Sequence, residues 1–338
     1  MNWGLIMKKS FLFGGFILII SIFLSGCSEQ PTDTNDPDIL NVYTTVYPLE
    51  YFTETIGGSY VQVESIYPPG ADEHTFEPSQ KDMIKLAESD LFIFIGLGLE
   101  GFVEKAKGTL KNEDVAMLAA GESIRFEDST NHQGENQEEA SHEDENYEDA
   151  AHGETEHEQG HAHGDIDPHV WIDPIYAKDL AVAIKDQLIV ELPSHEETFN
   201  KNYQALIDDL DKLNSQFNAM VTTAKHHELI VSHSAYGYWE ERYGIEQISI
   251  SGMSTTSEPS QKELQNLIDH GKKAGLKYVL FEQNFQSRLG EAVQNELGAK
   301  SLTLHNLSVL TEEDVSNGET YFSLMEKNLE TLKIALNN

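Results

Sequence analysis

Apolar positions along the chain switch between two periods. Short β-type runs at 39–44, 61–66, 91–95 and 115–118 are separated by stretches of helical period at about 48–57, 79–89 and 99–110. The same grammar restarts later, with strands at 228–232, 247–250, 278–281 and 300–304. Helices at about 235–243, 259–274, 285–297 and 319–336 are interleaved with them. Strand–helix alternation of this kind predicts an α/β fold with parallel strands. We expect two lobes, each with a four-stranded, mostly parallel sheet flanked by helices. No residue-level repeat relates the two halves.

Two helical stretches, about 174–191 and 194–224, lie between the halves. In the second, Phe199, Tyr203, Leu206, Leu210, Leu213, Phe217 and Met220 recur at steps of three and four, one apolar stripe. At 1.5 Å per residue such a helix reaches about 45 Å, enough to run along both lobes as a long rigid connector that limits hinge bending. Ser194 and Glu197 stand at the spacing of a capping box. The expected organisation is an N-terminal lobe over 39–193, a linking helix over 194–224 and a C-terminal lobe over 225–338.

The segment ahead of residue 39 has a different purpose. Lys8 and Lys9 precede an apolar run at 11–24, too short for a bilayer span of about 20 residues but suited to a secretory signal. Leu24-Ser25-Gly26-Cys27 follows and resembles the bacterial lipobox, in which the cysteine is lipidated. Residues 1–26 therefore read as a lipoprotein signal peptide, with Met1 or Met7 as its start, and 27–38 as a polar tether. This predicts a chain held at the cell membrane through lipidated Cys27, on the extracytoplasmic face.

Composition narrows the chemistry. The 338 residues carry 22 Lys+Arg against 58 Asp+Glu, a formal net charge of −36, which excludes a nucleic-acid partner. A single cysteine rules out a disulfide framework and any multi-cysteine zinc or iron–sulfur site. A transition metal would have to be held by His and carboxylates. Residues 127–165 concentrate 14 Asp/Glu, no Lys or Arg, and six histidines: His132, His142, His152, His157, His161 and His163. So few apolar residues cannot offset the entropy of ordering, so we expect a disordered loop with the composition of an auxiliary metal-binding tract.

Three histidines stand in structured contexts. His74 lies in Gly70-Ala71-Asp72-Glu73-His74-Thr75-Phe76-Glu77-Pro78, after the second strand. His169 lies in Asp167-Pro168-His169-Val170-Trp171-Ile172-Asp173-Pro174, entering a helix. His233 lies in Ser232-His233-Ser234-Ala235-Tyr236-Gly237-Tyr238, after the first strand of the second half. Each sits where an extended segment ends and a helix begins, the edge at which parallel sheets bind ligands. Two come from one lobe and one from the other, so their meeting point is the interlobe cleft. Three imidazoles suit Zn²⁺ and leave a fourth tetrahedral position open. His195, His226, His227, His270 and His305 read as ordinary hydrogen-bonded residues, the first four exposed.

These three motifs, in this order around an acidic His-rich loop and a long helix, resemble the ZnuA/AdcA-type solute-binding lipoproteins of bacterial metal ABC transporters. The resemblance runs from the lipobox to the last helix. It implies that His74, His169 and His233 bind Zn²⁺ between the lobes as cargo for a membrane permease. Manganese-binding relatives share the first motif but place carboxylates at the third and fourth positions, so His233 shifts the expectation from Mn²⁺ to Zn²⁺. Where relatives can place a carboxylate as fourth ligand, this chain has Ser308, a poor ligand. Glu73 or water is left for that place. Glu282, at another strand end, is expected to orient an imidazole N–H.

A zinc hydrolase is the competing class, because three histidines and a water also generate metal-bound hydroxide. No HExxH or comparable base-bearing motif supports it, and we expect no enzyme. A surface adhesin shares the lipobox and nothing else specific. Metal must displace imidazole protons, so affinity is expected to fall below about pH 6.5.

Overall fold

A computed structural model of the chain describes residues 38–126, 166–284 and 287–338. Residues 1–37, with the expected signal segment and Cys27, and residues 127–165, with their six histidines, lie outside them. Among the described residues no helix is long and apolar enough to cross a membrane.

The first sheet contains β1 (Leu40–Thr44), β2 (Val61–Ser65), β3 (Leu91–Phe94) and β4 (Ala116–Ala119), in the order β2-β1-β3-β4. The second contains β5 (Glu228–Val231), β6 (Glu246–Ser249), β7 (Tyr278–Phe281) and β8 (Lys300–Thr303), in the order β6-β5-β7-β8. Every neighbouring pair is parallel, with Val42 opposite both Val63 and Leu91, and Ile230 opposite both Ile248 and Val279. The central strands are apolar over most of their length and buried, as parallel strands covered by helices must be. In both sheets the chain leaves the two central strands in opposite directions. The cleft this opens at their carboxyl ends is where open α/β sheets bind ligands.

Helix α1 (Tyr47–Gly57) packs on the first sheet, and α4 (Pro174–Glu191) and α5 (Glu196–Val221) pack on α1 and on each other. Phe199, Leu206, Leu210, Leu213, Phe217 and Met220 form the buried stripe of α5, whose 26 residues span about 39 Å. The last helix, α10 (Tyr321–Ala335), packs on α5 and also returns to α1. There Tyr321 lies edge-on to Phe52 with ring centres 5.0 Å apart. One continuous core consequently runs from Leu40 to Leu336 through both lobes. A small satellite of Ile230, Ile250, Ile268, Leu276, Val279 and Val293 lies in the second lobe.

Two local expectations need correction. Ser194 does not cap α5: the residue before the helix is His195, with no side-chain cap. Residues Pro193–His195 form a tight 3₁₀ turn whose His195 N–H already donates to Leu192 O at 3.0 Å, so the chain enters the helix pre-wound. Further, His195 and His226 are half-buried rather than exposed. The His195 ring stacks on Tyr60 at 3.7 Å between centres.

Candidate metal centre

His74 is delivered by the turn after β2. Asp72 bends that turn, its Oδ1 accepting the backbone N–H groups of His74 at 3.0 Å and Thr75 at 3.2 Å. His169 sits just before the short helical turn Val170–Ile172, itself tied across the lobes by Trp171 Nε1 donating to Asn306 O at 2.7 Å. Asp173 then caps α4 by accepting from Ile175 N at 2.6 Å, and pairs with Arg242 of the second lobe. His233 lies two residues past the end of β5, at the switch point of the second sheet.

The three imidazoles converge, with ligand nitrogens that all lie within 4.8 Å of one another. His74 Nε2 and His169 Nε2 are 3.2 Å apart. Two ligands of a tetrahedral ion with bonds of 2.0–2.1 Å stand about 3.3 Å apart. His169 and His233 are fully buried and His74 is half-buried. Two carboxylates hold the rings from behind. His169 Nδ1 donates to Asp167 Oδ1 at 2.7 Å, and His233 Nδ1 donates to Glu282 Oε1 at 2.9 Å. Each bond fixes the tautomer that leaves Nε2 for a metal and raises the basicity of the ring.

Asp167 was not singled out from the sequence. Its signal was an acidic residue two positions before a histidine, with a proline between. Its placement needs Gly237 as well: a Cβ there would stand 2.8 Å from Asp167 Oδ2. Only glycine lets the first lobe's carboxylate approach the start of α6 (Gly237–Tyr243) so closely.

The charges around the cluster pull in opposite directions. Burial, and then the neighbouring His169 and His233, bring His74 down to about 3, so it is free of protons at neutral pH. Burial acts the same way on His233, but the Glu282 carboxylate outweighs it and the ring is pushed up to about 9. Glu73, buried beside it, is raised to about 7 by loss of solvent and by the charge of Glu282. Its Oε1 accepts from Asn306 Nδ2 at 3.0 Å. Among the described residues Glu73 is not one of the groups gathered with the three rings. Ser308 is fully buried, and its hydroxyl donates to Asn306 Oδ1 at 2.9 Å. The turn that carries it is strained: Leu307 has φ of 62°.

With this geometry in hand, comparison with known proteins is decisive. The family model for ZnuA, the zinc-uptake complex component A, periplasmic, matches residues 42–335. The chain belongs to the ZnuA family. It is 34% identical over 316 residues to the zinc-binding lipoprotein AdcA of Streptococcus pneumoniae, covering 93% of this chain and 59% of that protein. It is also 30% identical over 330 residues to the high-affinity zinc uptake system protein ZnuA of Bacillus subtilis, covering 95% of this chain and 97% of that one. Among solved structures, the Zn(II)-bound ZnuA-like domain of the pneumococcal AdcA superposes with a TM-score of 0.69 at 31% identity, over 89% of this chain and all of that domain. The chain thus spans about three-fifths of the AdcA relatives and nearly all of the Bacillus one. Two parallel four-stranded sheets with a long central helix are what this ZnuA-family chain has in common with them.

Proposed function

We propose that this protein is an extracytoplasmic solute-binding lipoprotein. It captures Zn²⁺ on His74, His169 and His233 and delivers it to the membrane permease of an ABC transporter. The observation that carries the reading is the convergence of three buried imidazoles, two of them fixed from behind by carboxylates. Three soft nitrogens and no gathered carboxylate favour Zn²⁺ over Mn²⁺, which prefers oxygen ligands. Glu73 is engaged by Asn306, which leaves water as the fourth ligand in preference to Glu73. Binding and hand-over, without catalysis, is the activity this site suits. Cys27 would anchor the mature chain to the outer leaflet, and residues 127–165 would collect metal at lower affinity.

Zinc-edge anomalous diffraction from zinc-loaded protein tests the site, with one strong peak expected between the three Nε2 atoms. A peak elsewhere, or a site that fills with Mn²⁺ in preference to Zn²⁺ under competition, overturns the reading. Calorimetry on a chain lacking 129–164 tests the loop: one tight site should remain while weaker binding disappears. An unchanged stoichiometry refutes a metal-collecting role.

A further inference from the structure

Between β6 and α7 (Gln261–Ala274) the chain makes a short excursion over the metal cluster. Its stem is bonded to the strand end that carries His233: Ser251 N donates to Ser232 O at 3.1 Å and Ser234 N to Gly252 O at 3.3 Å. The tip closes on itself through Gly252 N to Ser257 O at 3.2 Å and Ser257 N to Ser254 O at 2.9 Å. Two contacts then leave this loop. The backbone oxygen of Met253 lies 3.0 Å from His233 Nε2. Across the lobes, Thr255 Oγ1 donates to Asp72 Oδ2 at 2.7 Å. The other oxygen of Asp72 is the one that holds the backbone of His74. Residues 252–257 thereby contact the His233 ring directly and the backbone of His74 through a single carboxylate.

The chemistry of these contacts makes the loop a competitor of the metal. The Met253 oxygen, 3.0 Å from His233 Nε2, occupies the space in front of that nitrogen where a metal ion would bind. A metal ion and a carbonyl cannot share that nitrogen. The Met253 carbonyl must withdraw before the ion can bind His233, and it is available to reclaim the nitrogen as the ion leaves. Besides the stem and the Met253 contact, the tip is held to the other lobe by the bond from Thr255 to Asp72. The outer side is open: Met253 is 42% exposed, and Thr256, Ser257 and Glu258 are exposed.

We propose that residues 252–257 form the gate for metal entry, with Thr255 as its latch. The inference rests on reading the three histidines as the zinc site. Removing the latch raises the population of the open gate in the metal-free chain without altering the ligands, so entry accelerates while exit is nearly unchanged, and apparent affinity tightens in proportion. One hydrogen bond to a carboxylate corresponds to about a tenfold change in that population.

The test is stopped-flow zinc exchange on the full chain, wild type, T255V and T255S. Tryptophan emission serves as the signal, since the Trp171 ring is 5.4 Å from that of His169. Association is followed with zinc alone, and dissociation with excess chelator. T255V should speed association by about tenfold with dissociation nearly unchanged and the melting temperature retained, and T255S, which keeps the hydroxyl, should restore the wild-type rate. Unchanged rates in T255V with normal zinc binding overturn the gate and leave the metal site standing. Faster dissociation alone, with affinity weakened to match, also overturns it, because Thr255 would then set affinity and not access. If wild-type protein binds no zinc at the three histidines, the metal reading fails and the gate with it.

Discussion

Replacing Glu282 by Gln separates the two consequences of placing a carboxylate behind a metal-binding imidazole. Gln keeps an oxygen for the His233 Nδ1–H bond of 2.9 Å, so the tautomer is retained and only the charge is removed. Loss of such an outer partner lowers metal affinity by about 10–100-fold when no proton competes. The same carboxylate also strengthens the proton's hold, since it pushes His233 up to about 9. Below that value zinc must displace a proton, at a cost of about 1.4 kcal/mol per pH unit. At about pH 7 the competition weakens wild-type binding by about 100-fold, and at about pH 8.5 by about fourfold. In the variant the charge of Glu282 is gone while burial still lowers the ring, so the proton competes less, although Met253 O and Glu73 still favour it. The ratio of wild-type to variant affinity should therefore grow, by up to about 20-fold or about 1.8 kcal/mol, between about pH 7 and pH 8.5. Near neutrality the two proteins should bind alike, and wild type should win in alkali.

Competition against a chelator whose own pH dependence is known measures this directly. Parallel plots of log affinity against pH for the two proteins would refute the argument. A second readout uses the metal-free chain. A raised histidine pKa contributes stability that is fully present below about 6.5 and is lost as pH rises through about 9. The melting temperature of wild type should fall across that window, and that of Glu282→Gln should not.

Three further outcomes follow from the packing. Gly237→Ala would place a Cβ 2.8 Å from Asp167 Oδ2 and push that carboxylate off His169; zinc affinity should drop about tenfold by chelator competition, and unchanged affinity would contradict the role of Asp167. Tyr321→Ala empties a fully buried site and removes the 2.9 Å bond to Trp171 O; it should cost about 3–5 kcal/mol in urea unfolding at constant m, and a loss below about 1 kcal/mol would argue against a core shared by both lobes. At Asp314, the hydrogen bond from His305 and those from Thr311 hold the carboxyl well below its usual range. The native state thus gains stability that is present above about pH 3.9 and fades as pH falls below it; Asp314→Asn should lose that acid limb, and identical acid unfolding profiles would refute the assignment.

Much of the fold was legible because strand and helix periods are local properties. All eight strand runs read from the sequence lie within one or two residues of the observed strands, and the apolar stripe from Phe199 to Met220 is the buried face of α5. The errors are local in another sense. Ser194 has the spacing of a cap, but spacing does not reveal that Pro193 already starts a 3₁₀ turn. The short helix Glu312–Asn317 escaped notice because its acidic run has no apolar period, although Thr311 and Asp314 form the capping box that Ser194 and Glu197 do not.

Sequence alone narrowed the candidate ligand type and placed the candidates in one neighbourhood. One cysteine and a −36 charge leave histidine and carboxylate as the chemistry, and three histidines at the ends of extended segments point to a cleft between parallel sheets. Tertiary structure decided which groups stand behind and above those rings. Asp167 against Gly237, Asn306 on Glu73 and the Met253 carbonyl on His233 each join segments tens of residues apart or more. Periodicity carries no information about such pairs. Hydrogen bonding depends on distances of about 3 Å, and those are set only when both lobes pack on one helix and close a common core.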